Sequence, residues 1–97
     1  NMDFPTENDV ICGRGNRVNN YSGNIYLRAV VKALRPSYVE MPKPKKPMIA
    51  KAVINHLLSF NPPARFLKYD LEQKQWSILD EKKALEKVRQ ALRENVS

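Results

Sequence analysis

The segment Gly13-Arg14-Gly15, running on through Asn16, Arg17, Asn19, Asn20 and Ser22, holds the residue types best suited to chemistry in this sequence. Glycines let backbone N–H groups crowd toward a ligand, and two arginines add paired donors that match phosphate oxygens. A helix starting just after the segment would point further N–H donors at the same spot, so the segment suits an anion. Neither the Gly-x4-Gly-Lys-Ser/Thr nor the Gly-x-Gly-x-x-Gly spacing is present, which excludes those two nucleotide-binding loops. The same composition also serves a tight turn capped by asparagine side chains, and the sequence weighs the two readings equally.

Other cations follow along the chain. Arg28, Lys32 and Arg35 recur at helical spacing and, with Asn24, fall within about 80° on a helix of 100° per residue. Lys43, Lys45 and Lys46 stand among Pro36, Pro42, Pro44 and Pro47, which reads as an extended basic connector and fits a short nuclear-import address. Arg65 and Lys68 add charge further on. His56 lies on an apolar face without a second ligand nearby and reads as a core histidine, and Cys12 as a small hydrophobe. No Ser/His/Asp or Cys/His set, carboxylate pair or metal-ligand cluster has workable spacing. The expectation is a protein that is not an enzyme, with no cofactor and no metal.

The elements that must position these residues are legible in outline. Residues 1–9 form an N-terminal arm, and residues 10–97 a single compact domain. Val10, Ile11 and Cys12 are a short strand. A first helix is expected over 23–35, with Asn20 or Ser22 as its N-cap and Pro36 as its stop. Tyr26, Ala29, Val30, Ala33 and Leu34 should be its buried face. A second helix over 47–60 is the most apolar and is expected at the centre of the core. Residues 65–69 and 76–79 read as a hairpin. Phe66 and Trp76 should pack this hairpin onto the helices, with Tyr69 near its tip. Asp80 then caps a last helix over 81–95. The fold class is α+β: a small single domain with a short N-terminal strand, two helices, a β-hairpin and a C-terminal helix, loosely winged-helix-like.

Charge separates the chain into three parts. Of the 97 residues, 17 are basic and 10 acidic, a formal +7. Residues 1–9 carry three acids and no base, residues 10–69 carry eleven bases against Glu40 alone, and residues 70–97 carry six of each. A folded domain with such an excess in one block attracts polyanions. One cysteine permits neither an internal disulfide nor a zinc site and favours a reducing compartment. No apolar run approaches the ~18–20 residues of a membrane span, so no membrane partner is expected.

Several of these residues also form a joint pattern. The stretch Asp9-Val10-Ile11-Cys12-Gly13-Arg14-Gly15 is followed by the loop Asn19-Asn20-Tyr21-Ser22-Gly23-Asn24. Further on stand Pro62-Pro63-Ala64-Arg65-Phe66-Leu67, then Trp76, then a closing Gln90-Ala91-Leu92-Arg93-Glu94. Together they resemble a domain family of unknown function expanded in diatoms and related algae, over about residues 8–94. Two positions depart from it: Ala64 stands where the family usually has Gly, and Tyr21 where His is common, so no histidine chemistry carries to that loop. The resemblance implies one compact domain and brings no activity with it.

The functional expectation is a nucleic-acid-binding domain, with duplex DNA ahead of RNA because no aromatic-rich RNA-binding pattern is present. Arg14, Arg17, Arg28, Lys32, Arg35, Lys43, Lys45, Lys46, Arg65 and Lys68 would meet phosphates, with Gly15, Asn19 and Asn20 in the anion loop. Arg14, Arg17, Asn16, Asn19 and Asn20 are the candidates for base readout. The alternative is a protein-interaction module that docks an acidic or phosphorylated segment at the Gly-Arg-Gly loop. The expected location is the nucleus, with the cytoplasm as the alternative.

Overall fold

The computed structural model describes residues 5–13, 18 and 20–94. In chain order it contains β1 (Val10–Cys12), α1 (Ser22–Glu40), a 3-10 turn (Lys43–Lys45), α2 (Lys46–Leu58), β2 (Phe66–Asp70), β3 (Gln75–Ile78) and α3 (Glu81–Arg93). The three strands form one sheet in the order β1-β2-β3. β1 lies parallel to β2, with Val10 opposite Phe66, and β3 returns antiparallel, with Trp76 opposite Tyr69. A parallel pair needs a long crossover, and α1 and α2 supply it. The result is a small α+β domain in which the hairpin precedes the last helix.

The first helix does not stop at Pro36. It runs through that proline to Glu40. A proline inside a helix removes one backbone hydrogen bond and costs about 3 kcal/mol in an isolated helix. Here packing offsets the loss. Tyr38, two residues on, is only 4% exposed and belongs to the core, and the Lys46 ammonium donates to its carbonyl oxygen. The expected connector over 36–47 is therefore the end of α1, a brief extended step and a 3-10 turn.

Extending the helix also turns its buried stripe. Gly23, Val31 and Tyr38 are buried and Leu27, Val30 and Leu34 partly so, whereas Tyr26, Ala29 and Ala33 are exposed. The stripe runs Leu27, Val31, Leu34, Tyr38, the spacing of one helical face. On that wheel Asn24 and Arg35 sit beside the buried stripe, while Arg28 and Lys32 lie further out.

α2 buries Ala50, Val53, Ile54 and Leu57, but α3 holds the middle of the helical layer, packed against both α1 and α2. Its strong two-sidedness makes this possible: Ala84, Val88 and Leu92 are buried on one side and lysines and arginines lie on the other. Asp80 caps it as expected, its carboxylate accepting from the Lys83 N–H at 2.9 Å. Phe66 joins the core with these helices. Trp76 does not: it is partly buried and meets Tyr69 edge to face at 5.1 Å, on the strand face that alternates away from Phe66.

Candidate polyanion interface

Arg14, Gly15, Asn16, Arg17 and Asn19 lie outside the described residues; Gly13 precedes them and Asn20 follows. Gly13, with φ +150°, ends β1 in a conformation that side-chain-bearing residues rarely adopt. At the other end, the cap of α1 is Tyr21, in extended conformation and with no side-chain cap bond. Asn20 is exposed, and the Ser22 hydroxyl donates to the Glu7 carbonyl at 2.8 Å. Neither residue proposed as N-cap serves as one, because the arm before β1 has recruited this corner. The Tyr21 hydroxyl donates to the Thr6 carbonyl, and Gly23 lets the Asp9 carbonyl approach α1 so closely that a Cβ there would lie 1.8 Å from it.

Two further contacts fix the strand that leads into the loop. The Asn24 side chain accepts from the Ile11 N–H and donates to the Ile11 carbonyl, each at 2.8 Å, so one amide replaces a missing neighbour strand along the edge of β1. Asp9 is fully buried and accepts from the Thr6 and Arg65 N–H groups at 2.7 and 2.9 Å. Its two oxygens also take the Arg65 guanidinium at 3.2 and 2.7 Å. Burial pushes the Asp9 carboxyl up, but the Arg65 side chain and the two backbone donors outweigh it and hold the group below its ordinary value. The same hydrogen bonds push Arg65 higher.

This changes the role of several expected phosphate contacts. Arg65 is committed to Asp9 through a bidentate pair. Arg35 is partly buried and donates through Nη2 to the Ala91 carbonyl at 3.0 Å, at the C-terminal end of α3. Lys46 closes the C-terminal end of α1, donating to the Tyr38 and Val39 carbonyls with its Nζ 4.6 Å from the Tyr38 ring centre. Cations at helix C-termini complete orphan carbonyls and complement the dipole. Arg28, Lys32, Lys43, Lys45 and Lys68 are exposed.

The sequence reading missed the contribution of α3. The six bases and six acids of residues 70–97 cancel in number, but they do not cancel in space: α3 itself carries five bases against Glu81 and Glu86. At about 100° per residue, its outward side chains and that of its cap Glu94 sweep roughly 160°, from the partly buried Arg89 through Lys82, Arg93, Glu86, Gln90, Lys83 and Glu94 to Lys87. Arg89 and Arg93 edge a cavity of about 420 Å³ that Lys43, Lys46 and Tyr38 complete. On the other flank, Lys83 and Lys87 edge a groove of about 890 Å³ shared with Cys12, Gly13 and Lys68, where Asp70, Glu72 and Glu86 balance the charge. Lys87 also borders a smaller hollow of about 260 Å³ with Arg28 and Gly13. Cations from α1, the 3-10 turn, β2 and α3 thus gather on both sides of one helix.

The remaining candidates are structural. Burial pushes the Cys12 thiol up, and nearby Lys87 and Lys68 pull it partly back. His56 is exposed rather than core: its Nε2 lies 2.8 Å from the Tyr26 hydroxyl, and its ring meets Phe60 edge to face. Among the described residues, no group of three His, Cys, Asp or Glu could hold a metal ion, and no helix is long and apolar enough to cross a membrane.

Fold and site together define a small α+β domain whose last helix is flanked by a basic cavity and a mixed-charge groove. The chain belongs to the family described as Domain of unknown function (DUF6824), which it matches over residues 9–94. No curated protein and no solved structure matches it.

Proposed function

We propose that the domain binds nucleic acid, duplex DNA ahead of RNA, through the face centred on α3. The observation that supports this reading is the gathering of Arg28, Lys43, Lys68, Lys87, Arg89 and Arg93 from four separate elements along the flanks of one helix. These cations are spread over a surface rather than focused on a single hollow. The domain measures 41 × 27 × 23 Å, so such a face suits a rod about 20 Å wide better than a single small ligand. The role is binding, without catalysis, and the nucleus is its location.

Fluorescence anisotropy with random-sequence duplex at several salt concentrations tests the reading. About six to eight phosphate contacts give a slope of log K against log salt of about −5 to −7. A chain that fails to bind duplex even at low salt refutes it. A second reading, capture of an acidic or phosphorylated segment at the Gly-Arg-Gly loop, draws on one observation: Gly13 opens beside Lys68, Lys87 and Arg28. Affinity for one phosphopeptide without general duplex affinity would select that reading instead.

A further inference from the structure

Resting on the nucleic-acid reading, we propose that Lys43, Lys46, Arg89 and Arg93 form a discrete phosphate-binding pocket, its ligand in that reading one backbone phosphate. Four cations from the 3-10 turn, the start of α2 and α3 line a cavity of about 420 Å³ to which no carboxylate among the described residues contributes. The other two basic hollows beside α3 each contain at least one acid among their lining residues. Tyr38, Val39 and Leu92 form the apolar part of the wall. Such a wall lowers the local dielectric and strengthens each ionic hydrogen bond made there.

The donors are only partly used. Lys46 gives two of its three N–H bonds to the carbonyls of Tyr38 and Val39, which leaves one. The Arg89 Nε is buried and has no hydrogen-bond partner among the described residues. Glu86 reaches both arginines from outside the cavity, at 3.9 Å to Arg89 and 3.4 Å to Arg93, contacts that are long and solvent-exposed. The negative end of α1 opposes an anion here. Its last carbonyls are already covered by Lys46, and α2 begins beside the cavity with no side chain capping it and no acid in its first turn. Four like charges with so little compensation are best neutralised by a ligand that carries two charges and several acceptor oxygens. Phosphate has both.

The test titrates the isotope-labelled domain with inorganic phosphate at constant ionic strength and follows the Arg89 and Arg93 Nε signals by NMR. The expected result is a saturable shift confined to residues around the cavity. Arg89→Gln should weaken it about ten-fold. Glu86→Gln, which releases both arginines, should tighten it about two- to five-fold. Tighter binding cannot arise from a misfolded variant. Scattered, non-saturating shifts, or a Glu86→Gln variant no tighter than the parent, overturn the pocket. A duplex titration separates this from the broader reading. Duplex binding that ignores Arg89→Gln removes the pocket from the interface while nucleic-acid binding stands. A saturable phosphate titration without duplex binding keeps the pocket, makes its ligand a free phosphate ester, and refutes the nucleic-acid reading.

Discussion

Asp9→Asn should be among the most damaging single substitutions in the domain, although it changes one atom. The carboxylate is fully buried and accepts four hydrogen bonds, two from backbone N–H groups and two from Arg65. An amide in its place turns an NH2 toward one of these donors and removes the charge that Arg65 needs. Each buried donor left without a partner costs about 1–3 kcal/mol, and breaking a buried ion pair costs about 3–5 kcal/mol. Arg65 retains 32% side-chain exposure and can turn toward water, which places the expected loss near the lower end, about 3 kcal/mol. For a domain this size that is about 12–24 °C in Tm. Urea unfolding followed by the fluorescence of the single tryptophan, Trp76, measures it.

The pH dependence gives the same argument a second arm. The folded carboxyl is held below its ordinary value of 3.8, so its contribution is complete above that pH and disappears as pH falls through the folded value. The stability gap between parent and Asp9→Asn should therefore be constant at neutral pH and close in strong acid. A gap below about 0.5 kcal/mol at pH 7, within the spread of ordinary surface substitutions, refutes the reasoning. So does a gap that persists unchanged in strong acid, once the pH has fallen through the lowered folded value and the parent carboxylate is itself protonated.

Three further outcomes are expected. Gly23→Ala should destabilise by about 1–3 kcal/mol, because its Cβ would stand 1.8 Å from the Asp9 carbonyl oxygen, outweighing the helix propensity of alanine; a thermal melt unchanged or raised would show the approach to be unimportant. Asn24→Ala should cost about 2 kcal/mol and speed hydrogen exchange at the Ile11 amide, since both polar groups of that residue lose their partner. Cys12 should react with iodoacetamide at pH 8 more slowly than in the urea-unfolded chain, and Lys87→Ala should slow it further by removing a charge that favours the thiolate; a faster reaction in Lys87→Ala would contradict the assignment.

The parts of the fold readable in advance were those fixed by local chemistry. Asp80 as an N-cap, the hairpin of two β-prone runs joined by a polar turn and the wheel of α3 all express rules that act within a few residues. The errors arose where distant packing overrode a local rule. Pro36 is a stop signal by itself, yet Tyr38 and Lys46 hold the helix together beyond it. The buried face of α1 was misplaced by roughly a quarter turn because Tyr26 and the alanines look as apolar as Leu27 and Val31 until the partner surface is known. Asp9 read as one of three acids on an arm, because its partner lies 56 residues away. Asn24 read as part of a polar stripe, because the strand edge it satisfies is invisible in one dimension.

The same reasoning redistributes the charge. A count along the chain gives every lysine and arginine equal standing as a contact, but the fold uses some for its own backbone. Arg35 and Arg65 are held by a carbonyl and by Asp9, and moving either to a phosphate would expose a helix end or a buried carboxylate, while Lys46 keeps a single N–H beyond the two it gives to α1. Conversely, Glu86 lies on the solvent side of α3 and neutralises Arg89 and Arg93 only through long contacts, so the even balance of the last third hides two usable arginines. In the proposed binding mode the contact surface is therefore weighted toward α3 and the 3-10 turn, not toward the stripe on α1. Charge reversals should report this asymmetry: Arg93→Glu should weaken duplex binding more than Arg35→Glu at equal change in net charge, while Arg35→Glu should cost the greater stability. Equal losses of affinity would mean that net charge alone, rather than its placement around α3, governs attraction.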